Sequence, residues 1–209
     1  MQYILIHGLG QDSSSWNKTL SYMRKQEQVI CPELSLFVKE GDISYENLYN
    51  AFSEYCDNIS EPLNLCGLSL GAVLALNYAI DNPEKVKSLI LIAAQYEMPK
   101  VLLKLQNIIF SFIPESSFKN MGMRKKDFIK LTKSMMSLNL SEGLKNISCP
   151  VLVLCGEKDS TNKKASRNLA ESIIKAEIQY IKNVGHEVNI DAPKELAEIL
   201  NDFYNRQQS

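Results

Sequence analysis

Two histidines are all that this 209-residue chain contains. They belong to no cluster of His, Cys, Asp or Glu at ligand spacing, so no metal site and no cofactor are expected. Any imidazole chemistry must run through His7 or His186. No apolar stretch approaches the roughly 20 residues that cross a bilayer, and the opening MQYILIHGLG lacks the basic start of a signal peptide. The five cysteines (Cys31, Cys56, Cys66, Cys149 and Cys155) include no C-x-x-C pair, and most lie in apolar runs where a reduced thiol acts as a small hydrophobe. A cytoplasmic protein off the membrane is the expectation. With 23 Lys and Arg against 24 Asp and Glu, the formal charge of −1 gives no whole-molecule attraction to nucleic acid. Internal repeats and low-complexity tracts are also lacking.

What is present is enough apolar residue, 45%, for one buried core, so residues 1–209 read as a single domain. Six β-rich runs recur: Tyr3 to Ile6, Val29 to Cys31, Leu63 to Cys66, Leu89 to Ala93, Val151 to Cys155 and Ile178 to Ile181. They are continuous rather than alternating, the mark of parallel strands covered on both faces. Helical periods lie between them. Tyr45, Leu48, Tyr49, Phe52, Tyr55 and Cys56 form one apolar face behind Ser44 as N-cap. Ala165, Leu169 and Ile173 suggest a second. Leu196, Ile199, Leu200 and Phe203 form a third, behind a start signal at Asp191 and Pro193. Strands alternating with helices give an α/β fold with an open, mostly parallel sheet, and ligands are expected beyond the carboxyl ends of its strands.

Residues 96–146 break the alternation with two helical patterns, Val101 to Phe112 and Phe128 to Leu138, and read as a helical lid. Its nine Lys and Arg outnumber Glu97, Glu115, Asp127 and Glu142, so a basic lid tops an acidic body. The run MRKKDFIK, with Arg124, Lys125, Lys126 and Lys130, reads as a solvated helix face or as a surface for an anionic substrate or acyl carrier protein.

The stretch LCGLSLGAV, residues 65–73, sets Ser69 between Gly67 and Gly71, directly after an apolar run and before a helical one. A serine hydroxyl is a poor nucleophile until a base takes its proton. Both His7 and His186 lie at strand ends, as Ser69 does. The base in turn needs a carboxylate at its other nitrogen. Asp159, in VLVLCGEKDS, follows a strand end, and the order Ser69, Asp159, His186 is the one expected when a G-x-S-x-G turn begins a triad. His186 is therefore the expected base, His7 a loop-shaping residue and Glu97 the fallback acid. Cys66 reads as a buried structural thiol and Glu157 as a solvated turn residue.

HGLGQDSSSW, GLSLGAVLALNYAIDNPEKVKSLILIAA, PVLVLCGEKD and VGHEVNIDAPKELAEILNDF together resemble the α/β-hydrolase superfamily, in order along nearly the whole chain. The resemblance implies a small serine esterase or thioesterase with a helical lid. Its sheet would have about six strands, because only six residues precede His7 where the family has two further strands. It also implies an oxyanion hole from the backbone N–H groups of Leu9 and Leu70. Trp16 and Met135 are candidate walls of an apolar pocket. The expected reaction is cleavage of an ester or thioester with a small to medium apolar acyl group. A hydrolase-fold receptor or signalling protein with little turnover is the alternative. GLGQDS superficially resembles a dinucleotide loop, but Ser13 stands where its third glycine belongs and the triad residues would go unexplained.

Overall fold

The computed structural model describes residues 1–24, 26–38, 43–98, 114–115 and 124–207. Six strands form one parallel sheet: β1 (Gln2–Ile6), β2 (Val29–Ile30), β3 (Leu63–Leu68), β4 (Val86–Ile92), β5 (Val151–Gly156) and β6 (Ala176–Ile181), in the order β2-β1-β3-β4-β5-β6. The expected runs are all present, and several strands extend further because ladder pairing continues into residues without β preference, such as Gly67 opposite Ile6. The chain leaves β1 toward one edge and returns at β3 on its other side, so the strand order reverses between β1 and β3. A crevice opens beyond the carboxyl ends there.

Alternate residues of the strands feed two cores. Ile4, Ile6, Leu63, Leu65, Leu89, Leu91, Val151 and Val153 pack on one side with helices α2 (Tyr45–Asp57), α3 (Leu70–Asp81), α4 (Lys125–Ser134) and α5 (Ser160–Ser172). Tyr3, Leu5, Cys66, Leu68, Ile90, Ile92, Leu152 and Leu154 face the other side. Helix α1 (Asn17–Leu20), the short α6 (Val188–Asp191) and α7 (Pro193–Arg206) cover them. The result is a three-layer α/β/α domain. Strand β6 differs from the inner strands: up to Tyr180 its residues alternate between half-buried and exposed, because it is an edge of the sheet.

Helix α2 begins as its sequence directs, with the Ser44 side chain accepting from Asn47 N–H at 3.1 Å. Helix α7 has Pro193 in its first turn, but Ala192 rather than Asp191 occupies the N-cap, since Asp191 ends α6. Helix α5 buries Leu169, with Ile173 just beyond it, as expected, but Ala165 is only half-buried and the buried side also takes in Asn162, Ser166 and Ala170. Among the described residues of 96–146, Phe128, Leu131 and Met135 are buried, as expected of one apolar face. The pattern Val101 to Phe112, with Met121 and Met123, lies outside the described residues. Among the described residues no helix is long and apolar enough to cross a membrane.

Phe52 is fully buried, with ring centroids 6.4 Å from Phe37 and 6.1 Å from Tyr78. Phe52→Ala should cost about 3–5 kcal/mol, lowering the thermal midpoint by roughly 10 °C. Leu36→Ala, at an 81% exposed residue, should leave it nearly unchanged in the same melt.

Candidate active site

Ser69 links β3 to α3 with φ 52° and ψ −113°, a conformation that a non-glycine residue adopts only when its surroundings impose it. Those surroundings are backbone. Ser69 N–H donates to Ile92 O at 2.9 Å, and Ser69 O accepts from Val73 N–H at 3.0 Å. A Cβ on Gly67 would lie 2.2 Å from Gly71 O, and one on Gly71 would lie 2.3 Å from Ile6 O. The two glycines are therefore required by packing, which seats the first turn of α3 on the end of β1.

That contact brings the loop after β1 beside the serine: a Cβ on Gly8 would come within 3.6 Å of Ser69 Cβ. His7 is buried and shapes this loop. Its Nε2 accepts from Leu34 N–H at 3.1 Å, which leaves Nδ1 as the donor to Gly8 O at 2.9 Å. Both ring nitrogens are thus engaged away from Ser69. Neither Leu9 nor Leu70 N–H donates to a protein acceptor among the described residues. Leu70 opens α3, where the helix dipole favours negative charge. Leu9 and Leu70 share an apolar crevice with Leu34, Leu48 and Leu131.

The other half of the site hangs on β5 and on the loop before α6. A Cβ on Gly156 would lie 1.9 Å from Gly185 O, and Lys158 N–H donates to Val184 O at 2.9 Å, so the Asp159 and His186 loops are laid side by side. His186 Nδ1 stands 2.7 Å from Asp159 Oδ2. Burial alone would raise the Asp159 carboxyl, but bonds from His186 and Asn162 and the charge of His186 outweigh it and hold the group below its ordinary value. His186 is half-exposed, its side chain 42% accessible against 5% for Asp159. No hydrogen bond joins His186 to Ser69 among the described residues.

Other expected residues fall elsewhere. Trp16 is fully buried against the opposite face of the sheet, with Tyr3, Leu5 and Val188, so it is a core residue and not a pocket wall. The 3₁₀ turn Ser13–Trp16 carries it beneath β1. Met135 is buried on the same face as Leu70 and Leu131. Glu97 is exposed in a bridge to Asn139, while the His186 ring is bonded to Asp159. Cys66 is fully buried, which pushes its thiol well up. Glu157 is exposed and accepts from Asn183 N–H.

Several contributors went unread in the sequence. Gln11 accepts from Gly8 N–H at 3.3 Å and donates to Glu187 at 3.0 Å and Asn189 at 3.2 Å, tying the Leu9 loop to the His186 loop. Asn162 and Gln95 stand behind Asp159. Their only sequence signal is that Asn162 and Ser166 interrupt an otherwise apolar helix face.

Residues 3–199 match the Alpha/beta hydrolase family. The chain is a member of the α/β-hydrolase family. Monoacylglycerol lipase ABHD6 of Mus musculus is 24% identical over 162 residues, covering 68% of this chain and 48% of that protein. Pimeloyl-[acyl-carrier protein] methyl ester esterase of Legionella pneumophila (strain Lens) is 28% identical over 144 residues, covering 68% of this chain and 56% of that protein. The chain thus spans about half the length of these curated relatives. MenH from S. aureus superposes with a TM-score of 0.83 at 16% identity, over 100% of this chain and 95% of that one, a likeness of α/β-hydrolase fold alone.

Gly71→Ala should cost about 3 kcal/mol or more in denaturant unfolding, because the contact is with backbone that cannot yield. Gly8→Ala, whose Cβ would meet nothing nearer than 3.5 Å, should stay within about 1 kcal/mol of wild type. A second expectation concerns acid. The folded Asp159 carboxyl sits below its unfolded value, so its stabilisation is complete above about pH 4 and fades as pH falls through the lower folded value. The stability gap between wild type and Asp159→Asn, measured in urea, should therefore narrow on acidification below pH 4.

Proposed function

We propose that this α/β-hydrolase is a serine hydrolase that cleaves a carboxylic ester or thioester through an acyl-enzyme. The observation that carries the reading is the 2.7 Å contact between His186 Nδ1 and Asp159 Oδ2, on a loop that Gln11 ties to the Gly8 loop beside the strained turn of Ser69. Asp159 holds the proton on Nδ1, which leaves Nε2 bare to receive one from Ser69. Ser69 Oγ then attacks the carbonyl carbon. The Leu9 and Leu70 amides take the developing oxyanion, and the leaving alcohol or thiol departs with the proton from His186. Water, deprotonated by the same imidazole, releases the acid. Every step is supplied by side chains and backbone, so the reaction calls for no cofactor.

The acyl group of this reading is small to medium and apolar, to match Leu9, Leu34, Leu48, Leu70 and Leu131, which line a crevice little wider than a water molecule and must part to admit it; Met135 lies on the same side of the sheet. The reading keeps a single domain with a lid at residues 96–146, of which 99–113 and 116–123 lie outside the described residues. A second reading concerns the leaving group. Helix α4 presents Lys126, Lys130 and Lys133 on its exposed side and follows Arg124, a basic surface suited to an acidic carrier. Because a relative is named for an ester on acyl carrier protein, a carrier-bound acyl ester is the variant that this surface favours.

The test is steady-state hydrolysis of p-nitrophenyl esters from acetate to decanoate. Ser69→Ala should lower kcat by about 10⁴-fold or more with the fold intact, and wild-type kcat/KM should peak at a short or medium chain. Turnover unaffected by Ser69→Ala contradicts the mechanism. Strong thermal stabilisation by ligand without turnover favours a receptor.

A further inference from the structure

The Asp159 carboxylate is surrounded more completely than a triad acid requires. Asn162, three residues on and 6% exposed, brings its side-chain nitrogen to 3.0 Å from Oδ1, 2.8 Å from Oδ2 and 3.1 Å from His186 Nδ1. Its backbone N–H donates to Oδ1 at 3.2 Å, the N-cap contact of α5. On the far side, the Asn162 side-chain oxygen accepts from Gln95 Nε2 at 2.7 Å. Gln95 lies just beyond β4, so a residue on a different strand end sets which way the Asn162 amide faces.

The amide has two hydrogens for three neighbouring acceptor positions. While His186 Nδ1 carries its proton toward Asp159, one of the two hydrogens is shared between the carboxylate oxygens. Were the ring proton on Nε2 instead, one hydrogen could satisfy Nδ1. Turned about, the amide would aim its oxygen at the carboxylate, lone pairs facing lone pairs. The Gln95 donor prevents that by occupying the oxygen.

We propose that Asn162, oriented by Gln95, is a positioning residue that locks the Asp159 carboxylate in plane with the His186 ring and so fixes which ring nitrogen faces Ser69. The inference rests on the serine-hydrolase reading above. It goes beyond the triad by naming a residue pair that touches no substrate and controls the geometry of the acid and base.

Other groups around this carboxylate are few. His186 faces it from the loop before α6, the Cys155 thiol lies 4.0 Å from the Asp159 carbonyl, and the Lys163 ammonium bonds to Glu157 O at 3.2 Å. Burial pushes the Cys155 thiol up, so it stays neutral across the range of the test. Removing the Asn162 donor leaves the carboxylate with more localised charge facing the ring, so the acid limb of kcat/KM should move to higher pH.

The experiment compares wild type, Asn162→Leu, Asn162→Ser, Gln95→Glu and Ser69→Ala on one ester, with melting curves and kcat and KM from pH 5 to 9. Asn162→Leu keeps the backbone cap and the shape but no donor. It should lose kcat by about 10-fold or more, in the range seen for outer-shell partners, with KM little changed and the acid limb displaced upward. Asn162→Ser, with a shorter donor, should recover part of kcat. Gln95→Glu should reproduce the defect without touching Asp159, because a carboxylate at 95 draws the Asn162 nitrogen round. An Asn162→Leu enzyme with wild-type kcat and an unmoved acid limb, or a kcat loss that follows melting temperature alone, overturns the proposal while Ser69→Ala still abolishes turnover. If Ser69→Ala does not abolish turnover, the serine-hydrolase reading itself fails.

Discussion

A single hydrogen atom separates helix α3 from the end of β1. At Gly71 any larger substituent would overlap the Ile6 carbonyl, and at Gly67 it would overlap Gly71. This close approach of backbones lets Ser69 hold a left-handed conformation, because the neighbouring strand and helix fix its amide and carbonyl. The same approach sets the loop of Leu9 against the serine. A matching backbone contact at Gly156 and Gly185 joins the Asp159 and His186 loops. The site is thus assembled at two places where strands β1, β3 and β5 end against neighbouring backbone, at a reversal in strand order where a crevice must open.

Once the loops are placed, electrostatics decide what they can do. Asp159 is buried, and a buried carboxylate is costly unless its lone pairs are met. Here it caps α5, accepts from the Asn162 side chain and backbone, and faces His186. Helix capping and orientation of the imidazole are therefore demands on one carboxylate. His7 shows the contrasting outcome for the same side chain: with both nitrogens bonded to the Leu9 loop and to Leu34, it braces the backbone and has no nitrogen left for proton transfer.

Much of this was legible in the sequence because parallel strands covered on both faces read as continuous apolar runs, and all six runs became strands. Strand β6 was harder, its alternation showing only once the edge was known. Ser69, Asp159 and His186 could be nominated from glycine spacing and chain order, since each follows a strand end. Trp16 misled because an aromatic near the Leu9 loop in sequence suggests a pocket wall, whereas the short turn before it leads below the sheet. Asn162, Gln95 and Gln11 carried little warning. Polar residues near helix starts and in loops are common, and only three-dimensional proximity distinguishes these from solvated ones.

A nucleophilic Ser69 must carry the acyl group on its own oxygen. The most direct measurement is peptide mapping by mass spectrometry after reaction with a fluorophosphonate, on wild-type protein and on His186→Ala. One adduct per chain is expected, on the peptide containing Ser69, formed far more slowly when His186 is replaced. Labelling of another residue, or none on a folded protein, would contradict it.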